Sequence, residues 1–338
     1  MYLVSRQWRV VVYCQVDGSG PMTIDQWNDV ERVVIPIAVD GPKGTVLFDW
    51  RATCHAAQYR DLCLTLGYNT AVFCALLRWR GIRNLINMDG IEWRRAKWGI
   101  VAKTWFWINE WLGCWLGNHL VADNPHIQAH LATRVSEAKI TTIPYGADAV
   151  KATPTDVLEA MGLTPGSYLI VIARPEPENS VLEIVQSYTS CPRSMPLVVL
   201  GHYESANAYH RAIKAAANSD VRFVGAIYDR PLIQALRCHC AAYIHGHQVG
   251  GTNPSLVEAL GAGNAVIAHD NPFNRWVAGA GALYFDGVDS LTSCLARIMQ
   301  EPQSLEELKT HAFQQFERSF TWNHVLERYE SLLTQWNR

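Results

Sequence analysis

A chain of 338 residues, 49% hydrophobic and 18% charged, is long enough for two domains with a core each and too apolar to stay disordered. Its formal net charge of −2 gives no electrostatic footprint for a nucleic acid, so that class of partner is set aside. The nine cysteines follow no secreted-framework spacing, which fits reduced, buried thiols and a cytoplasmic location.

The opening stretch "MYLVSRQWRVVVYCQ" has no basic leader, no long apolar run and no small-residue cleavage site, so no signal peptide is expected. Strands are expected at "WRVVVYCQ", "RVVIPIAV", "DLCLTLGY", "RNLINM", "HLVAD" and "KITTIPY", with helical patterns such as "TAVFCALLRWRG" between several of them. The glycines of "GSG", Gly18 to Gly20, fall in a polar turn. No Gly-x-Gly-x-x-Gly follows a strand, which disfavours a nicotinamide dehydrogenase. The most membrane-like segment, Trp98 to Gly117, is interrupted by Lys103, Asn109 and Glu110, so it is not expected to span a bilayer. Its tryptophans, with Arg94, Arg95 and Lys97 before them, suit a helix lying in a membrane interface. Trp111 and Trp115, one turn apart, suit an aromatic core helix equally well.

A Gly-Ala-Asp and Pro-Thr-Asp stretch around residues 146–156 reads as a linker. The strand–helix rhythm then restarts. "YLIVIA", "PLVVLG", "VRFVG", "CAAYIHG", "NAVIAHD" and "ALYF" alternate with helices beginning near Ser180, Ser205, Asp229, Asn253 and Pro272. Continuous apolar strands separated by helices indicate parallel sheets covered on both faces. The expected architecture is therefore α/β, with two doubly wound Rossmann-like domains at 1–148 and 149–318. A last helical segment, 319–338, is expected to pack back on the first. Cys238-His239-Cys240, read as part of a strand, would point His239 away from both cysteines, so no metal site is expected there.

Ligands of such sheets sit at the carboxyl ends of the strands, which directs attention to three loops. In "VIARPEPENSV", Arg174 puts a permanent cation at a strand end, suited to a phosphate or diphosphate unless Glu176 or Glu178 pairs with it. Ser180 is expected to cap the helix that Glu178 and Asn179 introduce. In "GHQVGGTNPSLVEALGAG", Gly250 and Gly251 let the backbone approach a ligand. The amides of Thr252, Asn253 and the first helical turn then favour an anion. Glu258 lies about 200° around that helix from Leu256 and Leu260 on ideal geometry. It can therefore face a ligand while they face the core, unless a nearby Lys or Arg claims it. In "INMDGIEWRRAKW", Asp89 and Glu92 can position a hydroxyl or a sugar and Arg95 can help with the anion, although a solvated charged helix start would look the same.

These loops, in this order and spacing, resemble the GT-B glycosyltransferases, particularly the retaining family 4 and its rhamnosyltransferase-like polysaccharide branch. "LTLGYNTAVF", "NMDGIEWRRAKW", "IPYGAD", "IARPEPEN", "FVGAIYD" and "HGHQVGGTNPSLVEALGAG" carry the likeness over nearly the whole chain. The resemblance implies a nucleotide-diphosphate sugar as donor substrate, with its diphosphate on Arg174 and the Gly251 to Asn253 amides and its ribose on Glu258. It also implies that the first domain, with Asn69 and Arg95, takes a glycan or lipid-linked acceptor at the inner face of the plasma membrane. Where the family often places a first glutamate, this chain has Gly250, and Asn179 stands where many relatives have lysine. His247 and Glu178 would then take up donor contacts, and Asp89, Glu92 and Arg174 would flank the reacting centre. The expected chemistry is retaining, needs no metal or other cofactor, and moves a sugar such as rhamnose into a polysaccharide. The family's first strand and its glycine-rich loop are expected to be missing, since "MYLVSRQWRVVVYC" reads as the end of the first helix and the second strand. That leaves a sheet edge for a partner or another segment to fill. An epimerase or hydrolase on the same scaffold, or a silent donor-binding protein, are the alternatives.

Overall fold

The computed structural model describes residues 1–150 and 153–337. Lys151 and Ala152, inside the expected linker, and Arg338, the last residue of the expected terminal segment, lie outside the described residues. The chain divides into two compact units, one of Met1–Asp89, Ile100–Ile143 and Leu326–Arg338, the other of Gly90–Gly99 and Pro144–Val325.

The first unit holds seven strands in two sheets. β1 (Val11–Asp17), β2 (Thr23–Trp27) and β3 (Val30–Ile37) are ordered β1-β3-β2, and β4 (Cys63–Leu66), β5 (Asn84–Asn87), β6 (His119–Ala122) and β7 (Ile140–Thr142) are ordered β4-β5-β6-β7. All neighbours run parallel except β2, which returns to β3 as a hairpin. Asn28 and Asp29 join that hairpin at φ 50° and 63°, the left-handed values that a type I′ turn requires. β2 was not expected from the sequence because only Ile24 and Trp27 are apolar in it, and all five of its residues are exposed. β5 and β6 are buried along their whole length, whereas β1 and β4 are only half covered, contrary to the expectation of sheets shielded on both faces throughout.

The tryptophan-rich helix, Ile100–Leu116, is inside out. Asn109 and Glu110 are buried, the former accepting a hydrogen bond from the Val72 amide at 2.9 Å. Glu110 Oε1 lies 2.8 Å from His130 Nε2 and also pairs with Arg134. The opposite face exposes Ile100, Val101, Trp105, Ile108 and Trp115, with Val101 at 82%. Trp111 is half-buried under the Arg134 guanidinium while Trp115 is exposed, so the two tryptophans do not share one core-facing stripe. Among the described residues no helix is long and apolar enough to cross a membrane. The last helix, Trp322–Trp336, brings Tyr329 to Asn87 at 2.8 Å and its final carbonyl to Arg83 at 2.7 Å.

The second unit is built on six parallel strands: β8 (Leu169–Ile172), β9 (Leu197–Leu200), β10 (Val221–Gly225), β11 (Ala242–His245), β12 (Ala265–His269) and β13 (Leu283–Phe285), ordered β10-β9-β8-β11-β12-β13. Because alternate residues face opposite sides, both faces are apolar. Ile170, Val198 and Tyr243 pack with Leu256, Leu260 and Phe316, while Val171, Val199 and Ile244 pack with Ile184, Val185 and Leu295. The nine cysteines are free thiols. Cys238 ends the helix Arg230–Cys238 and is not on a strand as expected. His239 turns to Thr153, and Cys240 is buried against the Arg237 carbonyl. Among the described residues no three His, Cys, Asp or Glu gather as metal ligands would.

Replacing Glu110 with Ala leaves Arg134 buried without its anion. We expect urea denaturation to show a loss of ~3–5 kcal/mol, against ~1 kcal/mol or less for Lys103→Ala on the same helix.

Candidate functional site

In the second unit the strand order reverses between β8 and β11: the chain winds outward through β9 and β10, then returns to the other side of β8. Loops after two such strands leave in opposite directions and open a crevice at their carboxyl ends. Those loops are Ala173–Ser180 and Gly246–Asn253.

They meet backbone to backbone. A Cβ on Gly246 would fall 2.2 Å from the Asn179 carbonyl oxygen, so no other residue fits there. Gln248 completes the junction, its amide donating to the Glu178 carbonyl and its side chain to Ser180 Oγ, both at 2.9 Å. Ser180 does not cap its helix as expected. It sits in the left-handed region at φ 52°, and its hydroxyl is directed to Gln248. Asn179 donates back to the Arg174 carbonyl at 2.8 Å and so closes the loop.

The charges are distributed unequally. Arg95, in the segment Gly90–Gly99, lies 2.8 Å from Glu92 and 3.1 Å from Glu178. Its cation is therefore shared between two carboxylates. Glu92 also accepts from the Trp98 indole at 3.3 Å, which makes it a support for Arg95. Glu178 is buried, and its Oε2 has no hydrogen-bond partner among the described residues. Arg174 is exposed, and no carboxylate among the described residues pairs with its guanidinium, so the alternative of a rim ion pair with Glu176 or Glu178 is not observed. Arg174 is thus a cation that, among the described residues, has no carboxylate to neutralise it.

Gly90 packs on the glycine pair: a Cβ on it would lie 3.4 Å from Gly250 Cα. Gly250 has φ 128°, a value that side chains rarely adopt, while Gly251 and Thr252 are buried. Asn253 caps the helix Pro254–Gly261 by accepting from the Ser255 amide at 3.1 Å, and its carbonyl accepts from Leu256 and Val257. The first-turn amides, expected to face a ligand, are thus occupied. The amides of Gly250, Gly251 and Asn253 remain without a partner among the described residues. Leu256 and Leu260 are fully buried and Glu258 faces outward with its side chain 46% exposed, as the helical geometry requires. Its Oε2 accepts from Arg237 at 2.7 Å, and Arg237 is 5% exposed. The pairing partner that the sequence left open is Arg237, one helix earlier, and it leaves Glu258 Oε1 for a ligand.

His245 ends β11 and His247 follows it in the loop. The rings of His245 and His247 stack at 4.3 Å and 10° between planes. Tyr243 reaches His245 at 3.3 Å and donates to Ser255 at 3.0 Å, tying the strand end to the helix start. The His247 carbonyl is held by the side chains of Asn271 and Asn274, and its Nδ1 has no partner among the described residues. Burial, then the charges of Arg95 and Arg174, bring the His247 pKa down to about 3. Burial and the two neighbouring histidines also depress His245. Both rings are neutral at physiological pH. Tyr243, Ser255 and Arg237 were not singled out from the sequence, and only the Asn-Pro-Ser helix start hinted at the cap network.

Two candidates lie in the first unit. Asp89 is exposed at the carboxyl end of β5, in the left-handed region at φ 52°, its amide donating to Asn87 Oδ1. Such backbone in a residue with a side chain is uncommon and collects at functional sites. The Asn69 carbonyl accepts from the Trp105 indole at 2.8 Å.

Two parallel sheets, one with the 3-2-1-4-5-6 order, match known structures closely. Sucrose-phosphate synthase from Thermosynechococcus elongatus aligns with a TM-score of 0.77 at 15% identity, covering 98% of this chain and 90% of that one. The fold is GT-B. Anabaena HepE in complex with UDP-glucose aligns at 0.75 and 14% identity, over 91% of this chain and 86% of that one. The UDP-forming α,α-trehalose-phosphate synthase from Burkholderia vietnamiensis gives 0.73 and 12%, over 97% and 100%. Residues 14–148 match a domain of unknown function, DUF1972. By sequence, no curated protein matches the chain.

The depressed His247 pKa makes stability depend on pH. Unfolded His247 takes a proton near 6.5 and folded His247 only near 3, so stability falls as pH drops through that window. His247→Gln should flatten the slope by up to ~1.4 kcal/mol per pH unit between those values, read from urea midpoints at a series of pH values. An unchanged slope would show that the ring titrates freely.

Proposed function

We propose that this protein transfers a glycosyl group from a nucleoside diphosphate sugar to a hydroxyl of a glycan or lipid-linked acceptor. The observation that carries the reading is the pair of loops after β8 and β11: they hold an exposed guanidinium without a carboxylate partner and loop amides without a partner among the described residues, followed by a helix whose outward carboxylate is held by a buried arginine. A diphosphate matches Arg174 and the Gly250, Gly251 and Asn253 amides, and vicinal ribose hydroxyls match Glu258 Oε1. As the sugar leaves with oxocarbenium character, charge grows on the diphosphate. Arg174 and the amides then interact most strongly with the transition state. Glu178 Oε2 and His247 Nδ1, both without partners, are the groups assigned to the donor sugar, since Gly250 offers it no side chain. Charge neutralisation is assigned to Arg174 and the amides, with no metal or other cofactor. The retaining course and a rhamnose-like sugar in polysaccharide synthesis follow from the family resemblance. Asp89 at the end of β5 is assigned to the acceptor hydroxyl, with Asn69 and the Arg95 segment on the acceptor side.

Arg174→Ala should weaken binding of UDP or GDP, whichever the wild type prefers, by roughly tenfold or more, the loss of a charge-assisted hydrogen bond. Glu258→Gln should weaken it by roughly tenfold while leaving free diphosphate binding unchanged. Isothermal titration of both variants decides the matter, and wild-type affinity in both would remove the site. Release of sugar from the donor without any acceptor would favour hydrolysis.

The inverted helix supports a lipid-linked acceptor. Its outward tryptophan and aliphatic face, with Lys103 on the same helix and Arg78, Trp79 and Arg80 at the end of the helix Cys74–Trp79, has the composition of an interfacial segment. We expect the protein to co-sediment with vesicles of phosphatidylglycerol and phosphatidylcholine, and Val101→Ser with Ile108→Ser to reduce the bound fraction several-fold. Equal sedimentation of wild type and double variant would exclude this face.

A further inference from the structure

A cavity of about 270 Å³ lies beside the loop that carries Arg174, and neither Arg174 nor Glu258 lines it. Three segments of the second unit wall it: Ala96 and Lys97, the turn Pro175–Glu178, and Asn207 with Tyr209 at the start of the helix Ala208–Ala216.

The walls are set by backbone bonds. Pro175 and Pro177 fix φ at alternate positions of the turn. Between them, the Glu176 amide donates to the Arg174 carbonyl at 2.8 Å, and the Asn179 amide to the Glu176 carbonyl at 2.9 Å. On the helix side, Asn207 Oδ1 accepts from the amides of Tyr209 at 2.9 Å and His210 at 3.4 Å. The Tyr209 hydroxyl accepts from the Leu182 amide at 3.2 Å, in the first turn of the helix Val181–Thr189.

These bonds occupy one end of each polar group and leave the other. Asn207 keeps both hydrogens of its side-chain amide, and Tyr209 keeps its hydroxyl hydrogen, with no acceptor for either among the described residues. Burial raises the Tyr209 pKa to about 12, so that hydrogen stays on at physiological pH. Lys97 lies 4.8 Å over the Trp98 ring, and among the described residues it forms no ion pair with Glu176. The Glu176 carboxylate is likewise without a hydrogen-bond donor among them.

The lining decides the class of ligand. A cation and an anion are both present and unpaired, so neither a phosphate nor a carboxylate is favoured. The volume falls just below the ~300 Å³ at which small-molecule pockets begin, which suits one ring and is too small for a nucleotide. Proline and tyrosine rings supply apolar walls, with donors and acceptors set between them. A sugar ring has the matching make-up, with C–H faces and hydroxyls that both donate and accept.

We propose that this cavity binds one sugar residue of the glycan acceptor, as a subsite that shares Glu178 with the donor sugar. Lys97 and Glu176 take hydroxyls from opposite walls, while Asn207 and Tyr209 donate to ring or hydroxyl oxygens. Ala96 and Lys97 follow Arg95 in the segment assigned to the acceptor side, which is why the residue belongs to the acceptor. That part of the proposal rests on the glycosyl-transfer reading.

The test is an NMR titration of the full chain, methyl-labelled at alanine and threonine, with the methyl glycosides of glucose, galactose and rhamnose. At least one glycoside should shift the Ala96 methyl saturably, with a millimolar Kd, and leave the Thr252 methyl of the glycine loop in place. Asn207→Ser keeps a capping oxygen and removes the amide donor, and Glu176→Ala removes the carboxylate; each should weaken binding roughly fivefold. The Ala96 shift should persist with UDP or GDP bound. Silence of Ala96 toward all three glycosides, wild-type affinity in either variant, or loss of the shift when the nucleotide is added overturns the proposal. So does movement of Thr252 in place of Ala96. The calorimetry of Arg174→Ala and Glu258→Gln reports on the donor groups alone, so the subsite and the transfer reading fail separately.

Discussion

The site rests on one close approach, that of Gly246 to the Asn179 carbonyl. A methyl group at position 246 would part the loops that follow β8 and β11, and with them the two halves of the crevice. Because they touch, Gln248 can bond to Glu178 and Ser180, Glu178 can hold Arg95, and the glycine pair can lie against Gly90. The geometry is set by backbone contact between chain segments and fastened by the side chains of Gln248 and Asn179, which holds the loops in place before any ligand arrives.

The electrostatics are a consequence of that closure. Two arginines are drawn toward one pair of neutral histidines, and two carboxylates occupy only one of the arginines. The surplus cation, Arg174, is left at the rim. On the helix side, a buried arginine fixes one oxygen of Glu258 and so orients the other. The outward carboxylate is thus backed by a buried charge, an arrangement that lowers the reorganisation needed to bind a ligand there.

Much of this was legible in the sequence because continuous apolar runs declare buried parallel strands, and all six strands of the second unit fell where such runs predicted. The glycine pair and the Asn-Pro helix start marked the loop and the capped helix that follow β11. What escaped was set by partners distant along the chain. Glu258 meets Arg237 from the preceding helix, and Ser180 gives up its capping role to Gln248. The tryptophan-rich helix has a periodicity that shows two faces without showing which is inside, and the buried Glu110 is settled only by Arg134 and His130. β2 has too few apolar residues to announce itself and exists because the left-handed Asn28-Asp29 turn folds it back on β3.

The division into units also bears on how the chain is made. Neither unit is one continuous stretch: the second borrows Gly90–Gly99 from the middle of the first, and the first is completed by Leu326–Arg338. Tyr2 bonds to Glu330 and Asn87 to Tyr329, pairs 328 and 242 residues apart. During synthesis the earliest strands must therefore wait, half covered, while the whole of the second unit emerges and folds ahead of them. The helix Trp322–Trp336 closes the unit whose strands are made before those of the second, so a chain interrupted ahead of it carries a complete second sheet and an unfinished first one.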